Sequence, residues 1–385
     1  MRRVGLVLLI AVLAIWLAGC QRAATTTISI GLNAELTGSI PVVGESAKNG
    51  AELAIKEIND AGGLEVAGKK YTLKLVVEDN EDKAESAAAA AQKLATAGVL
   101  AMIGPNASRN AIPAAEVAES SKMPMITPWS TNPKTTVDAK TGQPKKYVFR
   151  AAFIDDFQGR VAAKFAIDQL KTVKPAVLYD VASEYNKGIA EFYKKTLEEN
   201  GVTVVAFETY TTGDKDFSAQ LTKIKGSGAD SLFLPNYYSE VPLQVQQAHK
   251  LGFTGTIVGS DSWGNLELIG LCGADCEGLF FTTHYAADIA TPKAQQFIKA
   301  YEAAYGKTPD DVAALTYDSF GLLFQAIQAA GKVDREAVRN ALAAIPSYEG
   351  VTGTMEFKGT GDPIKSAVII QIKGGKFTYF QTAKP

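Results

Sequence analysis

From Ile28 onward the chain alternates short runs rich in β-branched residues with longer amphipathic stretches rich in alanine. Strands and helices in strict alternation predict parallel sheets built from right-handed crossover units, and therefore an α/β fold. The predicted strands cover residues 28–33, 71–79, 99–103, 125–127, 176–179, 203–208, 231–234 and 256–258. The predicted helices cover residues 47–61, 83–97, 112–121, 157–171, 188–200, 217–226 and 241–251. Sheets of this kind bind ligands beyond the carboxyl ends of their strands.

The order of elements changes after Thr283. Three helices are predicted in succession, over residues 292–305, 311–330 and 335–344, followed by strands over residues 353–357 and 367–372. A chain of 385 residues with 46% hydrophobic residues is long enough to divide into two lobes with separate cores. Since no low-complexity linker interrupts the chain, we expect short hinge crossings between the lobes.

The N-terminus has the layout of a secretory signal, with a positive start, an apolar run over residues 4–18, and small residues before a cysteine in Leu17-Ala18-Gly19-Cys20. The apolar run is shorter than the roughly 20 residues that a membrane helix needs. The same segment is similar to a bacterial lipobox. We therefore predict a signal peptide over residues 1–19, a lipid on Cys20 and a tether over residues 20–27; an ordinary signal with a chance cysteine is the alternative.

The net charge argues against a nucleic-acid-binding protein, and the remaining cysteines favour a disulfide. Removing residues 1–19 takes away Arg2 and Arg3, so the formal net charge moves from −2 to −4. A nucleic-acid-binding protein needs a basic face, which this balance does not favour. Cys272 and Cys276 lie four residues apart in a glycine-rich loop. In an exported protein such a pair favours a disulfide over a metal site.

Catalytic and metal-binding patterns are weak throughout the chain. His249 and His284 are the two histidines, and we interpret both as surface or packing residues rather than as parts of a hydrolase. The cysteine pair and His284 lack a fourth ligand for zinc nearby. Residues 63–70 nearly match a phosphate-binding loop, but they follow a helix and carry Lys70 where a hydroxyl is required. We expect no enzymatic activity, no metal and no cofactor.

The candidate binding residues lie in loops that follow predicted strands. One such loop covers residues 33–44, a second covers residues 104–108, and a third covers residues 128–133. The second loop leads into a helix, whose free N–H groups and positive dipole end favour a carboxylate. Ser108 adds a hydroxyl donor there, although it could instead only cap its helix.

Across the whole mature chain, an ordered set of short motifs resembles the branched-chain amino-acid-binding family of type I periplasmic binding proteins. The motifs are Ile30-Gly31-Leu32 with Thr37-Gly38, residues 50–54 with Ile58-Asn59, Ile103-Gly104-Pro105 with Ser108, residues 124–128 with Thr131, Arg150 with Asp155 and Asp156, Tyr185-Asn186-Lys187-Gly188, and Leu251-Gly252-Phe253. Each motif is weak alone, whereas together and in this order they are specific.

The resemblance implies how the backbone end of an amino acid is bound. It assigns the α-carboxylate to Ser108 and Thr131, through hydroxyls and backbone N–H groups. It assigns the α-ammonium to the Trp129 carbonyl, the Thr131 hydroxyl and a carboxylate from the other lobe, which is Asp261 by alignment. Asp261 could alternatively only close a turn, and Trp129 is bulkier than the alanine usual in the family.

The resemblance also implies the side-chain pocket of the ligand. Its positions are Val43, Tyr185, and Tyr237 or Tyr238. This sequence departs from the family at Val43, where an aromatic residue is frequent, and at Ala107, where one branch has a cysteine. Because two adjacent residues at a strand end point in opposite directions, we expect one of the two tyrosines to face the cleft.

The fold implied by the family is two Rossmann-like lobes with parallel central sheets, joined by a three-crossing hinge. We expect residues 28–150 and 284–362 to form the N-terminal lobe, and residues 151–283 and 363–385 the C-terminal lobe. The implied function is capture of a small amino acid or similar ligand by a monomer that feeds the permease subunits of an ABC importer. A sensor subunit for amides is the alternative, and the sequence leaves the ligand itself open.

Overall fold

The computed structural model describes residues 26–289 and 291–385. The predicted signal peptide, Cys20 and most of the predicted tether lie outside these residues. Within the described ranges no helix combines the length and the apolar character needed to cross a membrane. The same ranges contain no group of three or more His, Cys, Asp or Glu side chains placed to hold a metal ion.

The first sheet has six strands in the order β2-β3-β1-β4-β5-β6, and all neighbours are parallel except β2 and β3. Its strands are β1 Thr26–Ala34, β2 Leu64–Val66, β3 Lys69–Asp79, β4 Met102–Ile103, β5 Met125–Thr127 and β6 Val148–Arg150. Its crossover helices are α1 Pro41–Asp60, α2 Ala84–Thr96 and α3 Ser108–Ser120. The central strand β1 is buried from Ile30 to Ala34, as expected of a parallel strand covered on both faces.

The second sheet has seven strands in the order β16-β15-β11-β10-β9-β7-β8. Its strands are β7 Pro175–Asp180, β8 Ala206–Tyr210, β9 Ser231–Leu234, β10 Thr256–Gly259, β11 Phe280–Thr283, β15 Ala367–Lys373 and β16 Lys376–Ala383. Its helices are α4 Asp155–Asp168, α5 Glu184–Glu199, α6 Ser218–Gly226, α7 Val241–Lys250 and α8 Glu267–Cys272. Strands β7 to β11 pair in parallel, whereas β15 and β16 add an antiparallel hairpin at one edge.

The remaining elements pack with the first sheet. They are α9 Pro292–Tyr305, α10 Asp311–Ala330 and α11 Arg335–Ala344, with a small antiparallel sheet of β12 Ser347–Gly350, β13 Gly353–Phe357 and β14 Pro363–Ile364. Helix α10 lies against α1 so closely that a Cβ atom on Gly50 would lie 2.5 Å from the Ala313 carbonyl oxygen. Only glycine permits this approach.

The chain passes between the two sheets three times, after β6, after β11 and after β14. Two buried cations, Arg150 and Lys365, form hydrogen bonds beside the first and third crossings. The Arg150 guanidinium donates to Asp362 at 2.6 Å, and the Lys365 ammonium donates to the Thr352 hydroxyl at 2.8 Å. Because β14 pairs with β13, the third crossing begins after Ile364, shortly beyond the predicted lobe boundary at residue 362.

The structure corrects several predicted element boundaries. Helix α3 begins at Ser108 rather than at residue 112, and α1 begins at Pro41 rather than at residue 47. Proline at the first turn of a helix is a start signal that fits α1. The strand predicted over residues 203–208 lies at Ala206–Tyr210. Strands β2, β6, β11, β12, β14 and β16 were not predicted. The first five are short, and β16 lies at a sheet edge with all of its residues half-buried or exposed.

Cys272 and Cys276 are joined by a disulfide with Cα atoms 5.6 Å apart. The bond connects the end of α8 to the following 3₁₀ turn, Gly273–Cys276. It lies in the second lobe, where Cys272 and Cys276 are buried.

Candidate functional site

A small cavity lies between the two sheets at the carboxyl ends of their strands. Its lining residues come from both sheets: Asn106, Ala107, Ser108 and Trp129 from the first, and Tyr185, Tyr237 and Asp261 from the second. Its volume is about 10 Å³, which is room for roughly one water molecule. The lobes lie close together here, and they must stand further apart than this to hold an amino acid.

The loop before α3 is held by a buried carboxylate. Glu35 accepts hydrogen bonds from the backbone N–H groups of Asn106 at 3.1 Å and Ala107 at 3.0 Å. The side-chain amides of Asn106 and Asn110 donate to the same carboxylate at 2.8 and 3.1 Å. Burial raises the pKa of Glu35, and the nearby Asp82 carboxylate adds to this effect. Glu35 thus occupies the N–H groups of Asn106 and Ala107, while Ser108 lines the cavity.

Ser108 occupies the first position of α3 and faces the loop that follows β5. Its hydroxyl lies 2.9 Å from the Ser130 hydroxyl and accepts from the Asn132 N–H at 3.3 Å. The Arg150 guanidinium donates to the carbonyls of Ser130 and Asn132 at 2.7 and 2.9 Å, which fixes the path of this loop. Thr131 is fully buried between these two residues, next to the cavity but not in its lining.

Thr131 also contacts the start of α4. Its carbonyl accepts from the Asp155 N–H at 2.9 Å. Burial raises the pKa of the Asp155 carboxyl to about 8, an effect that the nearby Thr131 hydroxyl opposes and the Asp261 carboxylate reinforces. Asp155 and Asp261 are thus two buried acidic groups that interact electrostatically in this region.

Asp261 begins the 3₁₀ turn Asp261–Trp263 after β10, and 1% of its surface is exposed. Tyr185 donates a short hydrogen bond to its Oδ1 atom, and the Gln158 amide donates to the same atom at 3.0 Å. The His284 Nε2 atom lies 3.0 Å from Oδ2. Burial lowers the pKa of His284 to about 4, so this imidazole is neutral at physiological pH. Within the described ranges, no lysine or arginine pairs with Asp261.

Three aromatic side chains form the wall of the cavity. The Tyr237 ring lies 6.1 Å from the Trp129 ring and 5.8 Å from the Tyr185 ring, measured between centroids. The Arg109 guanidinium lies 5.5 Å from the Tyr237 centroid. Tyr238 is also buried, but Tyr237 is the one of the two that lines the cavity.

Val43 and Trp129 differ in their distance from the cavity. Val43 is buried in the first turn of α1 and is not part of the lining. The Trp129 indole N–H donates to the Asp311 carboxylate at 3.2 Å, and the Thr283 hydroxyl donates to the same oxygen at 2.9 Å. Burial raises the pKa of Asp311. The indole is thus held in one orientation by a residue at the start of α10.

Contacts between the lobes surround the cavity. Lys134 forms an ion pair with Glu184 across the cleft at 2.6 Å, and the Asn132 amide donates to the Glu184 carbonyl at 2.8 Å. A Cβ atom on Gly188 would lie 2.8 Å from the Asn132 amide nitrogen, so glycine permits the close approach of α5. These contacts exist only when the lobes are together.

Five buried polar residues near the cavity were not predicted from the sequence. They are Glu35, Asp155, Gln158, His284 and Asp311. Asp155 was noted only as part of a motif, and His284 was interpreted as a surface or packing residue. The structure shows that His284 does pack on a neighbour, Phe153, but also that it bonds to Asp261. Because strand β11 was not predicted, the sequence offered no strand end that would have marked His284.

The two sides of the cavity are chemically different. The first sheet offers the Ser108 hydroxyl at the start of a helix, which suits an anionic group. The second sheet offers the Asp261 carboxylate, which suits a cationic group. The aromatic wall between them suits an apolar side chain. This combination matches a small zwitterion with an apolar substituent.

Comparisons with known proteins agree with this chemistry. A family model described as Periplasmic binding protein matches residues 27–376. The leucine-, isoleucine-, valine-, threonine- and alanine-binding protein of Pseudomonas aeruginosa is 33% identical over 340 residues, which are 88% of each chain. A leucine-binding protein from Thermotoga maritima is 35% identical with a TM-score of 0.87, covering 93% of this chain and 99% of that one.

A second solved structure adds a bound ligand to the comparison. The branched-chain amino acid transporter substrate-binding protein of Streptococcus pneumoniae, in complex with isoleucine, is 32% identical with a TM-score of 0.85, covering 94% of this chain and 100% of that one. The type I fold predicted from the sequence is confirmed by these neighbours. The chain therefore belongs to the periplasmic binding protein family, within the group of branched-chain amino-acid-binding proteins that its sequence motifs indicated.

Proposed function

We propose that this protein captures a small aliphatic L-amino acid between its two lobes and delivers it to the permease subunits of an ABC importer. The observation that carries the proposal is Asp261, a buried carboxylate at the cavity that pairs with no lysine or arginine of residues 26–289 and 291–385. A buried charge without a partner is costly. The ammonium group of an amino acid supplies the missing partner.

The other contacts of the ligand follow from the geometry. The Ser108 hydroxyl and the N-terminal end of α3 would bind the α-carboxylate, with Thr131 beside them. Trp129, Tyr185 and Tyr237 would enclose the apolar side chain. Charge-assisted hydrogen bonds contribute about 1.5–3 kcal/mol each, so three of them with an apolar pocket supply the roughly 8 kcal/mol of micromolar affinity.

Closure of the lobes would provide selectivity for the bound ligand. Ser108 follows a strand of the first sheet, whereas Tyr237 and Asp261 follow strands of the second, so a ligand touches all three only when the lobes close around it. A ligand shifts a conformational equilibrium by its differential affinity for the two states. The three crossings are the segments where the hinge rotation would occur.

The family consists of binding proteins, and membership in it implies an exported protein that binds a solute rather than transforming it. A sensor for amides is less well supported, because an amide carries no ammonium group to pair with Asp261. The relatives named above are amino-acid-binding proteins, which favours transport of an amino acid.

Calorimetric titration with a panel of L-amino acids tests the proposed function. We expect micromolar or tighter binding of at least one of leucine, isoleucine, valine, threonine and alanine, because the aromatic wall and the Asp261 carboxylate suit an apolar zwitterion. Small-angle scattering of the same samples should show a smaller radius at saturation than for protein stripped of ligand.

The matched control ligand is acetamide, which has neither charged group. Tighter binding of acetamide than of every amino acid in the panel would favour the amide sensor over the transporter subunit. A scattering profile that does not change at saturation would contradict closure, while leaving the choice of ligand intact.

We further propose that Cys20 carries a lipid that anchors the mature chain to a membrane surface, with residues 20–27 as the tether. The support is Leu17-Ala18-Gly19-Cys20 at the end of the apolar run. Cys20→Ser should release soluble protein into the medium or periplasm, or block processing, as measured by fractionation and mass spectrometry. A normally cleaved Cys20→Ser protein that remained in the membrane fraction would contradict the anchor.

A further inference from the structure

His284 occupies a position that joins the hinge to the cavity. It is the first residue after β11 and therefore begins the second crossing between the sheets. Its imidazole is buried and stacks on the Phe153 ring, with centroids 3.6 Å apart. Phe153 lies in the first crossing, between β6 and α4. His284 thus belongs to the second crossing and packs on the first. Its Nε2 atom contacts Asp261.

The hydrogen bonding of His284 indicates which tautomer its neutral ring adopts. Its Nε2 atom lies 3.0 Å from the Asp261 Oδ2 atom, whereas its Nδ1 atom has no partner within the described parts of the chain. The tautomer with its proton on Nε2 fits both facts, because that nitrogen can donate and the other is an acceptor. A neutral imidazole supplies a donor without cancelling the negative charge of Asp261.

The two oxygens of Asp261 are used differently. Oδ1 accepts from both Tyr185 and Gln158, which fill its lone pairs. Among residues 26–289 and 291–385, His284 is the one donor to Oδ2. This oxygen keeps a free acceptor position, and the orientation of that position depends on His284.

We propose that His284 is a positioning residue for the ammonium site, which fixes the Asp261 carboxylate toward the ligand and links it to the hinge. The inference rests on the proposed function. A residue with a packing role alone would fill the space beside Phe153 without a polar partner. Gln158 also connects Asp261 to the strand before His284. Its amide donates to Asp261 and, at 2.9 Å, to the Thr282 hydroxyl of β11.

The test compares two variants and two ligands. His284→Leu removes the donor and keeps much of the bulk, whereas His284→Gln keeps an amide N–H donor. The ligands are L-leucine and L-2-hydroxy-4-methylpentanoate, which replaces the ammonium group with a hydroxyl. We expect His284→Leu to weaken L-leucine binding about tenfold or more, with a change of less than about threefold for the hydroxy acid. His284→Gln should recover most of the L-leucine affinity.

His249 is the matched control, since it is the other of the two histidines and lies on the surface beside Asp275. His249→Leu should leave both affinities unchanged. With two histidines, ¹⁵N-histidine NMR also gives a measurement that needs no ligand. We expect one neutral imidazole with its proton on Nε2, and we expect its signals to move in Asp261→Asn.

Three results would overturn the inference. In the first, His284→Leu binds L-leucine as well as the wild type does. In the second, it loses affinity for both ligands equally, which indicates packing alone. In the third, the His284 signals titrate near pH 6.5, and their positions are the same in Asp261→Asn as in the wild type. Each of these leaves the proposed function standing, whereas a wild-type protein that binds no amino acid would overturn the proposed function and this role together.

Discussion

Asp261→Ala should weaken the binding of L-leucine by about 2–5 kcal/mol, the cost of truncating one partner of a buried charged pair. The ligand ammonium would remain in a closed cleft without its carboxylate. The substitution would also deprive Tyr185, Gln158 and His284 of their acceptor. Calorimetric titration of the wild type and the variant measures the difference directly.

Asp261→Asn is the matched control for this prediction. It preserves the volume and one oxygen acceptor but removes the charge, so we expect a smaller loss than with alanine. L-2-hydroxy-4-methylpentanoate, which lacks the ammonium group, should lose much less affinity than L-leucine in both variants. Equal binding of L-leucine by the wild type and Asp261→Ala would show that Asp261 is not the ammonium site.

Arg150→Leu should lower the free energy of unfolding by about 3 kcal/mol, the lower end of the usual cost of breaking a buried ion pair from one side, because Asp362 is partly exposed to solvent. The guanidinium is fully buried and donates to the Asp362 carboxylate at 2.6 Å and the Thr136 hydroxyl at 2.7 Å. It also holds the carbonyls of Ser130 and Asn132, on either side of Thr131. We therefore expect weaker L-leucine binding as well, since this loop faces the ligand carboxylate.

Urea unfolding monitored by circular dichroism measures the loss of stability. The control is Arg160→Leu, because Arg160 forms an exposed ion pair with Asp156 one turn away on α4. Exposed pairs contribute about 0–1 kcal/mol. If the two variants unfolded at the same urea concentration with equal slopes, the buried Arg150 network would not stabilise the fold as argued.

The fold was largely predictable because its signals are local. Strand and helix periodicities depend on neighbouring residues, and their alternation determines a parallel sheet. The rule that ligands bind at the carboxyl ends of strands then selected the loops containing Ser108 and Trp129, and the family resemblance added Asp261. All three residues line the cavity. The strands that were missed are short or lie at sheet edges, where hydrophobic patterning is weak.

By itself, the sequence determined the fold class, the family and the loops that form the cleft, because each depends on patterns within short segments. Only the tertiary structure decided which side chains bond within that cleft. Glu35 and Asn106, Trp129 and Asp311, and Asp261 and His284 are far apart in sequence, and no local pattern records their contact. The choice of Tyr237 over Tyr238 has the same origin. The orientation of a residue after a strand depends on how the two lobes pack, and that packing is a property of the whole chain.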